Sequence, residues 1–321
     1  MQLIWLNSLM AWASLVINMV THLLKPVRIA LWLFVTVSFI FFFVGGPTND
    51  SSQLFGALWD CGHLLFFIAV VILLSEKYPL NNGRVVLTIS AGVFLSGGLI
   101  EIIQAHIGRD GNWDDLLRDL TGAWLALFWL QPANKWVWCG RVLACVLLFP
   151  NIYRVAEEAV VQLHNERQFP VIADFESPLD LYGHSEFIER SNLLSTQGKY
   201  SLKLHLTKNV YSGITFDRLV ADWSAYTRFS VDIYIPDKQP LDMVVRIHDV
   251  QHEIAGWIDS DRFNKPVHLN PGWNHLFYSL EEIQRAPATR LLDLSNIKCI
   301  VIYATRLPAT RDIYIDNIRL E

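Results

Sequence analysis

Charge is scarce in this chain: Asp, Glu, Lys and Arg make up 18% of its 321 residues, against about 25% in an ordinary soluble domain. Cysteine is scarcer still. There are four, of which Cys61, Cys139 and Cys145 sit in apolar stretches and only Cys299 lies elsewhere. Such a set offers no disulfide framework, no metal-type spacing and no redox motif. Runs of Lys and Arg are missing too, and a formal charge of -5 with a pI near 6.1 excludes nucleic acid and other polyanions as partners. No basic start or small-residue cleavage site precedes Lys25, so the first residues do not read as a cleaved signal. What fills the chain instead is apolar: 52% of residues are hydrophobic and the mean hydropathy is +0.28. That excludes a disordered or fibrous chain, and the length predicts two domains.

The charges that exist are unevenly spread. Residues 1–165 hold only 9 basic and 10 acidic side chains, leaving 17 and 21 for the remainder. Long apolar runs near 29–44, 59–75, 85–103, 116–130 and 136–152 approach the ~20 helical residues that cross ~30 Å of hydrocarbon. Five helical spans over 29–152 are therefore expected, with Arg141 near the start of the fifth, where its side chain reaches the interface. Residues 3–24 form an amphipathic pattern, with Trp5, Leu9, Trp12, Val16, Met19 and Leu23 on one face. This segment is an interfacial helix, a sixth span, or a stretch upstream of a start at Met19. Lys25, Arg28, Lys77, Arg84, Lys135 and Arg141 fall on one side of a five-span bundle, and Arg109 and Arg118 on the other. The first side is then cytoplasmic, and everything after Ile152 lies outside.

Several ionisable residues gather at the outer ends of these runs. Asp60 and His63 share a helix face, as do Glu101 and Gln104, and Arg109, Asp114, Asp115, Arg118 and Asp119 follow the third run. Ionisable groups at membrane depth cost a few kcal/mol each unless paired or hydrated. Capping and the helix dipole account for Asp114 and Asp115 without any function. They account less well for His63 and Glu101, which stand among apolar neighbours. The set could hold a phosphate-bearing head group, move protons on it, bind a divalent cation through Asp60, Glu101 and Asp115, or pin helices together by salt bridges. No nucleophile with an adjacent base is visible, which leaves covalent catalysis with little support.

D-C-G-H at 60–63, E-I-I-Q at 101–104, Arg109 and D-L-L-R-D-L-T-G at 115–122 resemble the VanZ-like family of small membrane proteins over residues 29–150. Members of that family usually carry Lys after the first Asp and Asn where Asp119 stands; here the residues are Cys61 and Asp119. The resemblance implies a helical bundle and a family-level link to glycopeptide antibiotic resistance, with no settled reaction. It leaves Asp60, His63, Glu101, Gln104, Arg109 and Asp115 in place; Asp119, a departure from the family pattern, joins them in the polar membrane-face site by its position in the chain.

After a helical connector at 153–168, residues 169–321 change character. Period-two alternation predicts strands at 202–206, 229–235, 242–248, 275–279, 298–303 and 312–320, with turns at Pro236-Asp237 and Pro271-Gly272. About 150 residues of this spacing predict an antiparallel two-sheet sandwich. D-F-E at 174–176, G-K-Y-S-L-K-L at 198–204, D-W-S-A-Y at 222–226, D-R-F-N at 261–264, P-G-W-N at 271–274 and Y-I-D-N-I-R-L at 314–320 follow the order of landmarks in galactose-binding-like jelly rolls, the fold of many carbohydrate-binding modules. That resemblance implies a calcium ion held by Asp174, Glu176 and Asp316. Trp257, Tyr211, Trp223 and Trp273 are the aromatic faces available for a sugar ring, Trp257 being the one expected to be most exposed.

The sequence thus predicts a multi-domain protein of a bacterial-type inner or plasma membrane: a multi-pass α-helical bundle of five or six spans joined to an exported all-β jelly roll. The expected partners are the lipid bilayer and a cell-surface glycan or glycolipid. The alternatives are an enzyme acting on a lipid-linked head group through His63 and Glu101, and a non-catalytic envelope scaffold.

Overall fold

The computed structural model describes residues 25–48, 51–80, 83–107, 112–184 and 187–321. The amphipathic segment at 3–24 and Arg109 lie outside the described residues. The described chain divides into two compact units, one running through Pro47 and from Phe55 to Val155, the other comprising Thr48–Leu54 and Ala156–Glu321.

The first unit is helical. It contains α1 (25–41), α2 (Gln53–Ser75), α3 (Gly83–His106), α4 (Trp113–Leu130) and the first part of α5 (Lys135–Gln168). Its apolar core is assembled from Phe42, Phe66, Phe67, Val71, Val93, Ile100, Ala123 and Leu127. Two glycines let the helices approach closely. A Cβ at Gly122 of α4 would run into the backbone of Leu64 on α2, and one at Gly97 of α3 would meet Asp119 and Leu116 of α4. The outward surface is apolar, with Leu87 72% and Trp136 85% exposed. A soluble bundle would turn polar residues outward.

Among the described residues three helices, Gln53–Ser75, Gly83–His106 and Lys135–Gln168, are long and apolar enough to cross a membrane. The expectation of five spans is not matched by that count. Described residues 25–41 make a shorter helix, and the 18 residues of α4 carry Asp114, Asp115, Arg118 and Asp119 near their start. In α4 these charges form a polar first turn capped by Asn112, whose side chain accepts from the Asp114 backbone N–H at 3.0 Å. At ~1.5 Å per residue, the 34 residues of α5 reach about 51 Å, well past the thickness of a hydrocarbon core.

The second unit is a two-layer antiparallel sandwich. One sheet has strand order β2 (Ile188–Ser191), β3 (Ser201–Leu206), β10 (Arg311–Leu320), β5 (Arg228–Ile235), β8 (Gly272–Ser279), with β1 (Val171–Ala173) also paired to β10. The other has the order β4 (Tyr211–Phe216), β9 (Ile297–Thr305), β6 (Leu241–Asp249), β7 (Phe263–Leu269). Short helices α6 (Val250–Ile254) and α7 (Leu280–Gln284) follow β6 and β8. Each core strand alternates as the sequence requires: Met243, Val245 and Ile247 of β6 point inward, as do Phe229, Val231 and Ile233 of β5 and Ile300, Ile302 and Ala304 of β9. The six strands expected from alternation are present. Strands β1, β2, β4 and β7 are additional, because the first two are only three and four residues long, β4 is interrupted by Gly213, and β7 contains Pro266, tolerated there because β7 is an edge strand.

Candidate functional site

In the helical unit, α2 carries His63, α3 carries Glu101 and α4 carries Asp115 and Asp119. His63 Nδ1 lies 3.0 Å from Asp119 Oδ1, and His63 Nε2 lies 3.8 Å from Asp115 Oδ2. His63, Glu101 and Asp119 are buried. Glu101 Oε2 accepts from the Asn112 backbone N–H at 2.7 Å, while Asp115 pairs with Arg118. The Phe42 ring covers the imidazole, centroid to centroid 4.6 Å.

The other predicted members have different employment. Gln104 donates to the Phe42 carbonyl at 2.9 Å and so ties α3 to the end of α1. Asp60 does not join the Glu101–Asp115 pair as a possible cation ligand. It is drawn instead to two guanidinium groups, Arg154 at 2.7 Å and Arg118 at 3.5 Å. Arg118 also donates to Asn151 at 2.9 Å, so α2, α4 and α5 are linked by one charged chain of contacts.

The sandwich offers two aromatic faces. On the outer face of the β4-β9-β6-β7 sheet, Tyr211 is 69% exposed and meets Tyr303 across the strands at 5.7 Å. Gly213 lies directly opposite Tyr303 and leaves the floor beside that ring without a side chain. Two outward positions further along β6 come Arg246 and His248, and Trp257 packs over both, 5.6 Å from each. Trp257 is 53% exposed and sits at φ +64°, directly after Gly256 at φ +84°. A bulky side chain in the left-handed region is strained, and such strain persists where the surroundings fix it. Burial, then the neighbouring Arg246 charge, pushes the His248 imidazole down to about 3, so it is neutral at physiological pH. On the opposite sheet Trp273 lies half-buried against Tyr234 at 5.2 Å, away from the Tyr211–Trp257 face.

Trp223 is a correction to the sugar-contact set. It is fully buried, stacks on Phe229 at 5.8 Å with ring planes 6° apart, and donates its indole N–H to the Val220 carbonyl at 3.0 Å. An apolar core of this size takes up the largest side chain near its edge, leaving no ring face for a ligand.

The three acids expected to hold calcium are not brought together at ligand spacing; among the described residues that spacing occurs for His63, Glu101 and Asp115. Asp174 Oδ1 accepts from the Glu176 backbone N–H at 3.0 Å, and Glu176 accepts from Lys199 and Tyr200 at 2.6 and 2.7 Å. Burial is the largest single effect and pushes the Glu176 carboxyl up, but the two amides together with the Arg190 and Lys199 charges outweigh it and hold the group below its usual range. Asp316 is fully buried and accepts from Thr196, Gln197 and Asn317. It stands at a bulge of β10, where the register with β5 shifts between Asp316 and Arg319 and Asn317 takes φ +54°.

No protein-family model matches the chain, and no curated protein is matched by its sequence. The VanZ-like resemblance of residues 29–150 therefore stands on its motifs alone. Solved structures do match. A family 11 carbohydrate-binding module from Clostridium thermocellum, in complex with a β-1,3-1,4-mixed-linked tetrasaccharide, shares 17% identity over 47% of this chain and 93% of that one, with a TM-score of 0.34. A family 30 carbohydrate-binding module of a cellulosomal cellulase from the same organism matches at 18% identity over 43% of this chain and 83% of that one, TM-score 0.34. An exo-β-agarase matches at 16% identity and TM-score 0.36 over 47% of this chain, which spans only 24% of that enzyme.

Residues that sequence reading did not single out complete both regions. Tyr303 and Arg246 were legible in principle as the outward members of alternating strands, Tyr303 between Ile302 and Ala304 and Arg246 between Val245 and Ile247. Arg154 carried no such signal, because its partner Asp60 is 94 positions away.

Proposed function

We propose that this is an integral membrane protein whose β-sandwich binds carbohydrate on the outer face of the β4-β9-β6-β7 sheet. The observation that carries the reading is the placing of Tyr211, Tyr303 and Trp257 on one exposed face around Arg246. Flat aromatic faces supply apolar area to the C–H faces of a pyranose, and Arg246 supplies hydrogen-bond donors to hydroxyls or to an acidic substituent. From the Tyr303 row to the His248 row there are two outward steps along the sheet, about 14 Å at ~3.4 Å per residue, which is room for more than one sugar ring. The helical half anchors this module as a VanZ-like membrane bundle. Its apolar outer surface and its three long apolar helices support membrane insertion. The Lys and Arg asymmetry of its loops supports an extracytoplasmic sandwich.

The test is binding of the full chain, reconstituted in lipid nanodiscs, to a panel of immobilised glycans, followed by titration with the soluble oligosaccharide that binds. Trp257→Ala and Tyr211→Ala are each expected to weaken affinity by about 10-fold to 100-fold, or about 1.4–2.7 kcal/mol. Phe277→Ala, an exposed ring on the opposite sheet, leaves it unchanged. Absence of binding across the panel, or equal affinity in all three variants, refutes the proposal.

A further inference from the structure

We propose that His63, Glu101 and Asp115 form a binding site for one divalent transition-metal ion of the zinc or manganese type, held between α2, α3 and α4. One ligand atom from each residue lies within 4.8 Å of the other two. Ligands about 2.1 Å from a tetrahedral ion stand about 3.4 Å apart, so a small inward movement of side chains closes the set. One imidazole with two carboxylates suits a first-row ion better than calcium, which takes oxygen alone.

Each side chain is held at one end and free at the other. Asp119 Oδ1 lies 3.0 Å from His63 Nδ1. That contact fixes the tautomer in which Nδ1 carries the proton, and it leaves Nε2, the atom facing Asp115 Oδ2, with a free lone pair. A carboxylate behind a ligating histidine is the arrangement that orients the ring and raises its basicity. Glu101 Oε2 is occupied by the Asn112 N–H, whereas Glu101 Oε1 is buried with no hydrogen-bond partner on a side chain only 5% exposed. Asp115 gives one oxygen to Arg118 and turns the other toward His63. Helices pinned only by salt bridges give no reason for an orphan carboxylate oxygen, which is costly to bury. An ion accounts for Glu101 Oε1; Asp119 Oδ2, also buried without a hydrogen-bond partner, lies against Gly97 and outside the ligand set. Asp60, committed to Arg118 and Arg154, is left out of the ligand set.

The decisive experiment is metal analysis of the full chain in nanodiscs after chelator treatment, loading with Zn2+ alone and with Mn2+ alone, and removal of excess ion. One ion per chain is expected for at least one of the two metals. Loading with Co2+ is expected to give a d–d absorption of nitrogen and oxygen coordination. Glu101→Gln, which keeps shape and hydrogen bonding, is expected to weaken that ion by at least 10-fold, and Asp119→Asn by 10-fold to 100-fold. Less than 0.2 ion per chain with both metals, or an unchanged stoichiometry and Co2+ spectrum in Glu101→Gln and His63→Gln, overturns the proposal. Elution volume and helical circular dichroism of each variant show that a lost ion is not a lost fold.

Discussion

The two halves of the chain bury opposite things. The helical unit turns Leu87 and Trp136 outward and keeps His63, Glu101, Gln104 and Asp119 inside, each with a polar partner outside its own helix. The sandwich encloses a continuous apolar core from Phe175 to Leu320 and turns charge outward, as in the pairs Lys203–Asp312 and Lys265–Glu282. The same rule operates in both: apolar surface leaves water, and polar groups must find partners. On the membrane placement proposed above, what differs is the surrounding medium. Where lipid replaces water, apolar outer surface costs nothing and helix association relies on close backbone approach and polar contacts, which is why Gly122 against Leu64 and His63 against Asp119 hold the bundle.

The sharpest way to test this contrast is to damage each half by its own means. Trp223→Ala removes the largest buried side chain of the sandwich and is expected to cost about 3–5 kcal/mol through lost burial and the cavity left behind. Thermal unfolding followed by near-ultraviolet circular dichroism should show that loss, with helical signal in lipid retained. Next comes Asp119→Leu. It keeps the branching of the side chain but strips the buried His63 of its partner, at a cost of about 3 kcal/mol. Asp119→Asn preserves a hydrogen bond and should cost clearly less. If the Leu variant were as stable as wild type by thermal midpoint in detergent, polar pairing would not be what holds the bundle.

These contrasts also show what a sequence can and cannot declare. The sandwich strands β3, β5, β6, β8, β9 and β10 were legible because alternation such as Met243-Val244-Val245-Arg246-Ile247 reports directly which side faces the core. The bulge at Asp316–Arg319 and the left-handed Trp257 were not, since both depend on neighbouring strands and helix ends rather than on local pattern. In the helical unit, i, i+3 spacing grouped Asp60 with His63, yet the structure sends them to different partners. Spacing on one helix fixes a shared face, while the partner is chosen by what the facing helix presents: α5 presents Arg154 to Asp60, and α4 presents Asp119 to His63. Glycines at 97 and 122 decide that facing geometry, and their role emerges only once the helices are paired.

A pH series sharpens the comparison at a smaller scale. The ordinary histidine value is 6.5, and in the fold His248 is held down to about 3 by burial and then by Arg246. The unfolded chain therefore takes up a proton near pH 6.5 that the folded chain refuses until about pH 3. Stability from this group is complete above pH 6.5 and declines as pH falls. Between pH 7 and pH 5 the loss is about 2 kcal/mol. His252, also lowered chiefly by burial, adds to it with the same sign. The thermal midpoint of the sandwich should drop over this range in wild type and drop less in His248→Gln; an equal drop in both would mean that another group sets the dependence.

The smallest effect is expected where charge meets charge in open water. Arg285 and Glu281 stand one helical turn apart at 3.0 Å, both more than two-thirds exposed. A pair so placed gains little Coulomb energy, is screened by salt and must hold two long side chains still. Arg285→Ala should therefore move the thermal midpoint by no more than about 0.5 kcal/mol of stability corresponds to, and raising the salt concentration should shrink even that. Arg290 provides the counterpart within the same sandwich: it bridges Asp249, fully buried, and Asp261. Its guanidinium cannot be removed without leaving carboxylates uncompensated beneath the surface. A loss on Arg285→Ala comparable to that on Arg290→Ala would show that burial is not what separates strong from weak charge pairs here.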